Sequence, residues 1–146
     1  MRKFFIFAIA LVASVLAFTS CEGNKIDSPI VGTWAQIQED REYFITFDGK
    51  GNYTYIINYY FYDIDTGEKI QTPHEHVVIK GSFKIDGDII TVHNESQTIS
   101  MDGGPAESIE WEPYDEQMKY SVKGNTLHLI RFYGTEYDFE EEFYKQ

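Results

Sequence analysis

The segment FDGKGNYTYIINYYF, residues 47–61, decides the fold of this chain. It places a glycine-containing turn before a long run in which aromatic and β-branched residues alternate with other residues. Glycine supplies a positive φ at a turn without steric cost, and the flanking Asp48 and Asn52 are typical hairpin formers. The run that follows suits a pleated, half-buried surface. The segment therefore predicts a hairpin that leads into a strand over residues 51–62.

The same turn pattern returns twice more along the chain. Gly87 and Gly124 stand in equivalent turns, and the three glycines are 38 and 37 residues apart. Each interval has room for two strands and one intervening turn, and no capped apolar stripe at helical spacing follows Cys21. The chain is therefore predicted to be all-β, with eight consecutive strands at roughly 31–38, 42–48, 51–62, 69–85, 88–101, 107–122, 126–133 and 136–144.

Eight consecutive antiparallel strands have two unpaired edges unless the first strand meets the last. Closure into a barrel removes both edges, so the sequence predicts an eight-stranded antiparallel up-and-down meander barrel. Alternating turns place Gly49, Gly87 and Gly124 at one end of it and the remaining turns at the other. The middle four strands are the longest and should project beyond the barrel at that second end.

The first 21 residues predict export from the cytoplasm. Arg2 and Lys3 precede an apolar run over residues 4–17 that is short for a bilayer span, and Cys21, the single cysteine, follows. This segment resembles a bacterial lipoprotein signal, in which cleavage precedes the cysteine and the cysteine sulfur is acylated. The alternatives are a signal cleaved without acylation, which would leave a free thiol, and a retained membrane anchor.

The lipoprotein resemblance implies three parts. Residues 1–20 would be the signal peptide, residues 21–29 the lipidated cysteine with a short tether, and residues 30–146 the barrel domain. The chain from Cys21 onward has 126 residues, which is one domain by size. It carries 10 basic and 24 acidic residues, a formal charge of −14, and this excludes a nucleic-acid partner. The acyl chains would therefore provide the attachment to the membrane.

The opening of the first strand has a recognisable motif. Gly32 and Trp34 form a Gly-x-Trp sequence, which resembles the opening signature of lipocalins. Together with the turn at Gly49 and the aromatic strand after it, the chain is similar to the short lipocalin-like domains of Gram-negative lipoproteins. Lipocalins also carry an arginine that packs on this tryptophan, whereas the last strand here ends with Lys145. The resemblance implies a barrel with one closed end.

Alternation assigns one face of each strand to the barrel interior. An eight-stranded barrel is wide enough either to be filled by its own side chains or to hold one small ligand. The sequence leaves both possibilities open. If the interior is hollow, the candidate ligand-binding residues are Tyr53, Tyr55, Ile57, Tyr59, Phe61, Phe83, Tyr120, Leu129 and Arg131.

Arg131 is the charged residue that the pattern places inside. It follows Leu127 and Leu129 at a spacing of two, and a buried guanidinium needs a partner. Glu141 on the neighbouring strand is the candidate partner. Arg131 could bind the carboxylate of a fatty-acid-like ligand, or it could form a structural ion pair.

Metal and catalytic motifs are weak in this sequence. His74 and His76 have the spacing of some zinc sites, but Pro73 precedes them and His76 is in phase with outward lysines. No nucleophile elbow or phosphate loop is present, so we expect no catalytic residues, no metal and no cofactor.

Two binding functions remain in competition, beside a purely structural role as an envelope subunit without a ligand. The first is a lipid-anchored, monomeric lipoprotein of the cell envelope, attached to the outer membrane, whose barrel binds a small, largely apolar or amphipathic molecule. The alternative is a module that binds, or inhibits, a basic protein through its surface, with a solid barrel interior. In the second case the aromatics Tyr60, Tyr62, Trp111 and Tyr114 would lie among acidic residues in an interface.

Overall fold

The computed structural model describes residues 25–146. The predicted signal peptide, Cys21 and residues 22–24 lie outside the described residues. The described chain contains no helix long and apolar enough to cross a membrane. It forms nine strands: β1 (Gly32–Ile37), β2 (Arg41–Phe47), β3 (Asn52–Tyr59), β4 (Glu75–Asp86), β5 (Ile89–Met101), β6 (Glu107–Ile109), β7 (Tyr114–Lys123), β8 (Thr126–Arg131) and β9 (Phe139–Lys145).

Eight of these strands close into an antiparallel up-and-down barrel. Neighbours along the chain pair in order, with β5 pairing directly to β7, and β1 pairs with β9 to complete the ring. The three-residue β6 lies outside this ring and adds to the far half of β5. The predicted all-β, eight-stranded up-and-down architecture is confirmed.

Three predicted strand boundaries are wrong, and proline explains two of them. Strand 107–122 is split into β6 and β7 because Pro113, just before β7, has no N–H to donate to a neighbouring strand. Strand 69–85 begins only at Glu75, after Pro73, for the same reason. The predicted strand 51–62 ends at Tyr59, so Phe61 lies in the following connection.

The two ends of the barrel are built differently. The closed end consists of the short turns at residues 48–51, 87–88 and 124–125. The open end consists of the connections 38–40, 60–74, 102–113 and 132–138. Gly124 has a φ of 59° in its two-residue turn, a conformation that glycine adopts without strain.

The N-terminal segment plugs the closed end. Ile26 donates its N–H to the Gly49 carbonyl at 2.8 Å, and its side chain packs against the core. Ile30 is fully buried, and its carbonyl accepts a 2.7 Å hydrogen bond from Trp34 Nε1. Residues 25–29, predicted as tether, are therefore partly integrated into the barrel domain.

At the closed end, the ring of Trp34 also lies close to the ammonium group of a lysine. The Lys145 Nζ atom lies 5.4 Å from the centroid of the Trp34 ring. This distance is within the range of a cation–π contact. Lys145 thus lies over the ring of Trp34.

A β-bulge bends the longest hairpin. β4 and β5 pair along their length, but the register shifts between Lys80 and Gly81, which leaves Glu95 as the extra residue on β5. A Cβ atom at Gly81 would lie 1.9 Å from the His93 carbonyl oxygen, so only glycine allows this backbone approach. The bulge shifts the inward face of β5 from even-numbered to odd-numbered positions.

The core fills the barrel from the closed end to its middle. Its buried members come from every barrel strand and from the N-terminal segment, and aromatic rings provide much of the volume. Phe47 contacts Tyr53 and Phe83 with ring centroids 5.4 and 5.1 Å apart. The core residues are Ile30, Trp34, Ile45, Phe47, Tyr53, Tyr55, Phe83, Ile90, Val92, Met118, Leu127, Leu129 and Phe143.

Candidate functional site

Inward-facing side chains differ in burial between the two halves of the barrel. Toward the closed end, Phe47, Ile90 and Leu127 are fully buried. Toward the open end, Val77 is buried as well, but five other inward residues are only partly buried although they point at the barrel axis. These residues are Tyr43, Ile57, Tyr59, Ile79 and Ile99. The open half therefore presents a mouth of apolar and aromatic side chains, which we call the mouth residues.

A buried ion pair lies below the mouth residues. Arg131 on β8 donates from Nε and Nη2 to the two carboxylate oxygens of Glu116 on β7, each at 2.7 Å. The Glu116 side chain has no exposed surface, and Arg131 is 8% exposed. Burial alone would lower the pKa of Arg131, but the hydrogen bonds and charge of Glu116 together with Tyr53 and Tyr55 outweigh burial and raise it. The guanidinium is therefore held charged by a bidentate partner.

Glu141 on β9 is the second carboxyl group beside Arg131. Its Oε2 atom lies 3.7 Å from Arg131 Nη1, beyond hydrogen-bond distance. This oxygen is buried and has no hydrogen-bond partner among the described residues. Burial raises the pKa of Glu141, the charge of Arg131 lowers it, and Glu116 raises it again, so that the pKa lies above its usual value. Arg131, Glu116 and Glu141 together form what we call the Arg131 cluster. Glu141 is its member with an unfilled hydrogen-bond acceptor.

Aromatic rings surround the guanidinium group. The Arg131 Cζ atom lies 4.8 Å from the centroid of the Tyr55 ring. Phe132 and Phe139 are farther away, at 5.8 and 6.0 Å. The rings of Tyr43 and Tyr55 are stacked with centroids 6.3 Å apart. The Arg131 cluster is thus enclosed by ring faces on the side of the open end.

Large apolar side chains also crowd the rim of the open end. Twelve are exposed in the described chain, and all except Tyr144 lie in the open-end connections or next to them. Soluble proteins rarely collect so many on one surface without a binding role. The eleven rim residues are Ile37, Phe61, Tyr62, Ile64, Ile70, Met101, Ile109, Tyr114, Tyr133, Tyr137 and Phe139.

Charge is unevenly distributed between the two ends. The open-end connections carry eleven acidic residues and one lysine, Lys69. The closed-end turns and residues 25–31 carry three acidic residues and two lysines. The acidic residues of the open end are Glu39, Asp40, Asp63, Asp65, Glu68, Asp102, Glu107, Glu110, Glu112, Glu136 and Asp138.

The connection 60–74 is fastened to the outside of the barrel. Glu42 on β2 accepts hydrogen bonds from Tyr60 Oη at 2.6 Å and from Lys69 Nζ at 3.3 Å. Burial alone would raise the pKa of Glu42, but the hydrogen bonds from Tyr60, Asn58 and Lys69 outweigh burial and lower it. These contacts hold the connection beside the mouth and do not fold it over the mouth residues.

The structure distributes the predicted ligand-binding residues over three regions. Ile57 and Tyr59 are mouth residues, and Tyr55 and Arg131 lie below them. Phe61 is 55% exposed on the rim, where its ring stacks on His74 at 3.9 Å. The remaining four are Tyr53, Phe83 and Leu129, which are core residues, and Tyr120, whose hydroxyl lies 3.4 Å from Ser28 Oγ at the closed end.

Sequence reasoning missed the principal partner of Arg131. It named only Glu141, whereas Glu116 makes both hydrogen bonds. A signal was present, because Glu116 is in phase with Met118 at a spacing of two and therefore faces inward. The predicted interface aromatics Trp111 and Tyr114 do meet, with ring centroids 5.2 Å apart.

The histidines pair individually with polar groups. His76 Nδ1 lies 2.7 Å from Asn58 Oδ1, and His74 Nδ1 lies 2.8 Å from Asp102 Oδ1. Within residues 25–146 no group of three or more His, Cys, Asp or Glu residues has an arrangement that could hold a metal ion.

The groups that the open end presents are the apolar side chains and aromatic rings of the mouth and rim and the carboxylates among them.

Comparison of the chain with protein-family models, with curated proteins and with solved structures gave no match. The lipocalin resemblance therefore rests on the Gly-x-Trp motif and on the barrel architecture.

Proposed function

We propose that this protein is a lipid-anchored binding protein of the cell envelope whose open end holds a small, largely apolar molecule. The observation that carries the proposal is the partial exposure of the mouth residues. They point at the barrel axis and border the filled core, yet they stay only partly buried. Each 100 Å² of apolar surface that a ligand removed from water there would contribute about 2.5 kcal/mol.

The mouth also has the composition of a ligand site. Such sites combine apolar and aromatic walls with a few convergent polar groups. Here the walls are mouth residues such as Ile57 and Ile79, and the polar groups are those of Arg131, Glu116 and Glu141. Because the closed half is filled by the core, the ligand would enter only the open half.

Lipidation of Cys21 would fix the orientation of the barrel. The chain from Cys21 to Lys25 can span at most about 14 Å, and Ile26 is already bound to the Gly49 turn. The closed end would therefore lie against the membrane, and the open end would face away from it.

Native mass spectrometry tests the proposed ligand binding. The chain beginning at Glu22 contains every described contact and would be purified gently from its own host. We expect a retained small-molecule mass that is lost in Ile57→Trp, because the larger side chain fills the mouth. The control is Ile56→Trp on the outer face of the same strand, which should retain the mass. The proposal would be contradicted if the spectrum showed only the mass of the polypeptide and if no lipid or other amphiphile of a test panel stabilised the folded chain.

The distribution of acidic residues favours a second candidate function. Eleven acidic side chains and eleven exposed apolar side chains share the open end, which suits docking of a basic protein. Binding of lysozyme, a strongly basic probe protein, would be measured at about 50 mM and 300 mM salt. Binding that weakens sharply with salt would support this candidate, because screening acts on exposed charges. No binding at low salt would contradict it.

A further inference from the structure

We infer that the ligand of the open end is a cationic amphiphile, with an ammonium head beside Glu141 and an apolar tail along the mouth residues. This inference rests on the proposed ligand-binding function. It replaces the carboxylate ligand that Arg131 suggested from sequence.

The hydrogen-bond donors of Arg131 already have partners within the protein. Its Nε and Nη2 atoms make 2.7 Å hydrogen bonds to Glu116, and its remaining Nη1 atom faces Glu141. A ligand carboxylate could bind the guanidinium in a bidentate manner only by displacing Glu116. That displacement would leave the fully buried Glu116 carboxylate without its partner, which is strongly unfavourable.

Glu141 offers what an ammonium head requires. Its Oε2 atom is a buried acceptor without a hydrogen-bond partner in the described chain, and its side chain is 13% exposed. Leu129, its neighbour on β8, faces the interior, so Glu141 faces the interior as well. An N–H donor that approached Glu141 from its exposed 13% would supply a hydrogen bond to the carboxylate, and the Arg131–Glu116 pair would stay intact. A ligand head group that has only hydrogen-bond acceptors would leave Glu141 Oε2 without a partner.

The surrounding charges favour a cation over an anion. Two carboxylates and one guanidinium meet in the Arg131 cluster, and the open-end connections carry eleven acidic residues against two basic residues at this end, Lys69 and Arg41. This field attracts a positive head group and repels a negative one.

Three ten-carbon probes that differ only in the head group test the inference. Decylamine, decan-1-ol and decanoate would each be titrated, below micelle formation, into the chain beginning at Glu22, with calorimetric detection. We expect decylamine to bind at least tenfold more tightly than decanoate, with decanol between them. Decanoate binding as tightly as decylamine would overturn the inference and leave the proposed function standing. No binding of any probe would overturn both.

A matched pair of variants locates the head group. Glu141→Gln removes the charge of the interior carboxyl group, and Glu140→Gln removes the charge of its exposed neighbour on the outer face of β9. We expect Glu141→Gln to weaken decylamine at least tenfold with little effect on decanol, and Glu140→Gln to change neither. Unchanged decylamine affinity in Glu141→Gln would overturn the inference. The comparison of probes on the unaltered chain does not depend on either variant folding.

Discussion

At the residue scale, the Arg131 cluster bears on stability and on the proposed ligand binding. The guanidinium and the Glu116 carboxylate are buried together and bonded by two 2.7 Å hydrogen bonds. Removing one partner of such a pair leaves an uncompensated charge in the interior, which costs more than the intact pair contributes. Glu141 is less tightly held, so the two carboxyl groups should respond differently to substitution.

Glu116→Gln should lower the free energy of unfolding by about 3 to 5 kcal/mol, because it leaves Arg131 buried without its charged partner. Urea unfolding monitored by intrinsic fluorescence measures this change. The control is Asp115→Asn, whose carboxylate is exposed and pairs with His93 on the surface. That variant should change stability by less than about 1 kcal/mol. Equal effects of the two variants would contradict the assignment of Glu116 as the principal partner.

Glu141 should make stability depend on pH in the opposite sense to an ordinary ion-paired carboxylate. Its pKa in the folded chain is raised above 4.5, so between 4.5 and that raised value the folded chain binds more protons than the unfolded chain. The stability that protonation provides is therefore lost as pH rises through this window. We expect Glu141→Gln to be at least as stable as the unaltered chain at pH 7, with the difference shrinking below pH 4.5. A difference that grows below pH 4.5 would contradict this expectation.

The interior position of Arg131 could be predicted because it continues a period-two pattern with Leu127 and Leu129. The choice of its partner could not be made in the same way. Both Glu116 and Glu141 face inward by phase, and their distances from Arg131 depend on strand stagger across the barrel. Stagger is set by the whole set of pairings and not by one strand.

At the element scale, turn chemistry determined the order of strands and proline determined their limits. The glycine turns separate antiparallel neighbours as the sequence predicts. Gly87 and Gly124 have a positive φ in two-residue hairpins, whereas in the longer first turn the positive φ belongs to Gly51 and not to Gly49. Hydrophobic alternation alone overestimated three strands, since the pattern continues past Tyr59 and begins before Glu75. In the sequence, the bulge beside Gly81 is marked only by a glycine within a strand. Its position could be located only once the pairing of β4 with β5 was known.

Gly81→Ala tests the bulge. The added Cβ would lie 1.9 Å from the His93 carbonyl oxygen, which is backbone and cannot move aside as a side chain can. We expect a loss of about 3 kcal/mol in the free energy of unfolding. Gly49→Ala is the control, because its Cβ meets the flexible Lys25 side chain at 3.3 Å. Thermal and urea unfolding of both variants measure the difference, and equal stability would show that β4 and β5 approach less closely.

At the scale of the whole molecule, the barrel has two unlike ends. The closed end is plugged by Ile26 and Ile30, and the open end collects exposed apolar and acidic side chains. Closure of eight strands could be predicted from the edges of the sheet. The plug could not, because residues 25–29 are mostly polar and read as a tether. The concentration of rim residues became visible only when the connections were placed at one end.

The proposed lipid anchor predicts the orientation of the two ends at a membrane. A fluorophore on Lys50→Cys at the closed end should be quenched by headgroup spin-labelled lipids more strongly than one on Ile64→Cys at the rim. The acylated protein in vesicles would be used, since acylation of Cys21 leaves the introduced cysteine as the single reactive thiol. Equal quenching at both sites would contradict the orientation, and failure to associate with vesicles would contradict the anchor.

The central claim is that a ligand binds in the open half of a barrel whose closed half is solid. Isoleucines lie in both halves of the barrel interior, so their methyl groups can show which half a ligand contacts. NMR of these methyl groups during titration of the chain with decylamine is therefore the most direct measurement. We predict shift changes at the mouth positions Ile57, Ile79 and Ile99, and none at the buried Ile30, Ile45 and Ile90. Unchanged methyl groups in the mouth, or shifts confined to the closed half, would contradict the claim.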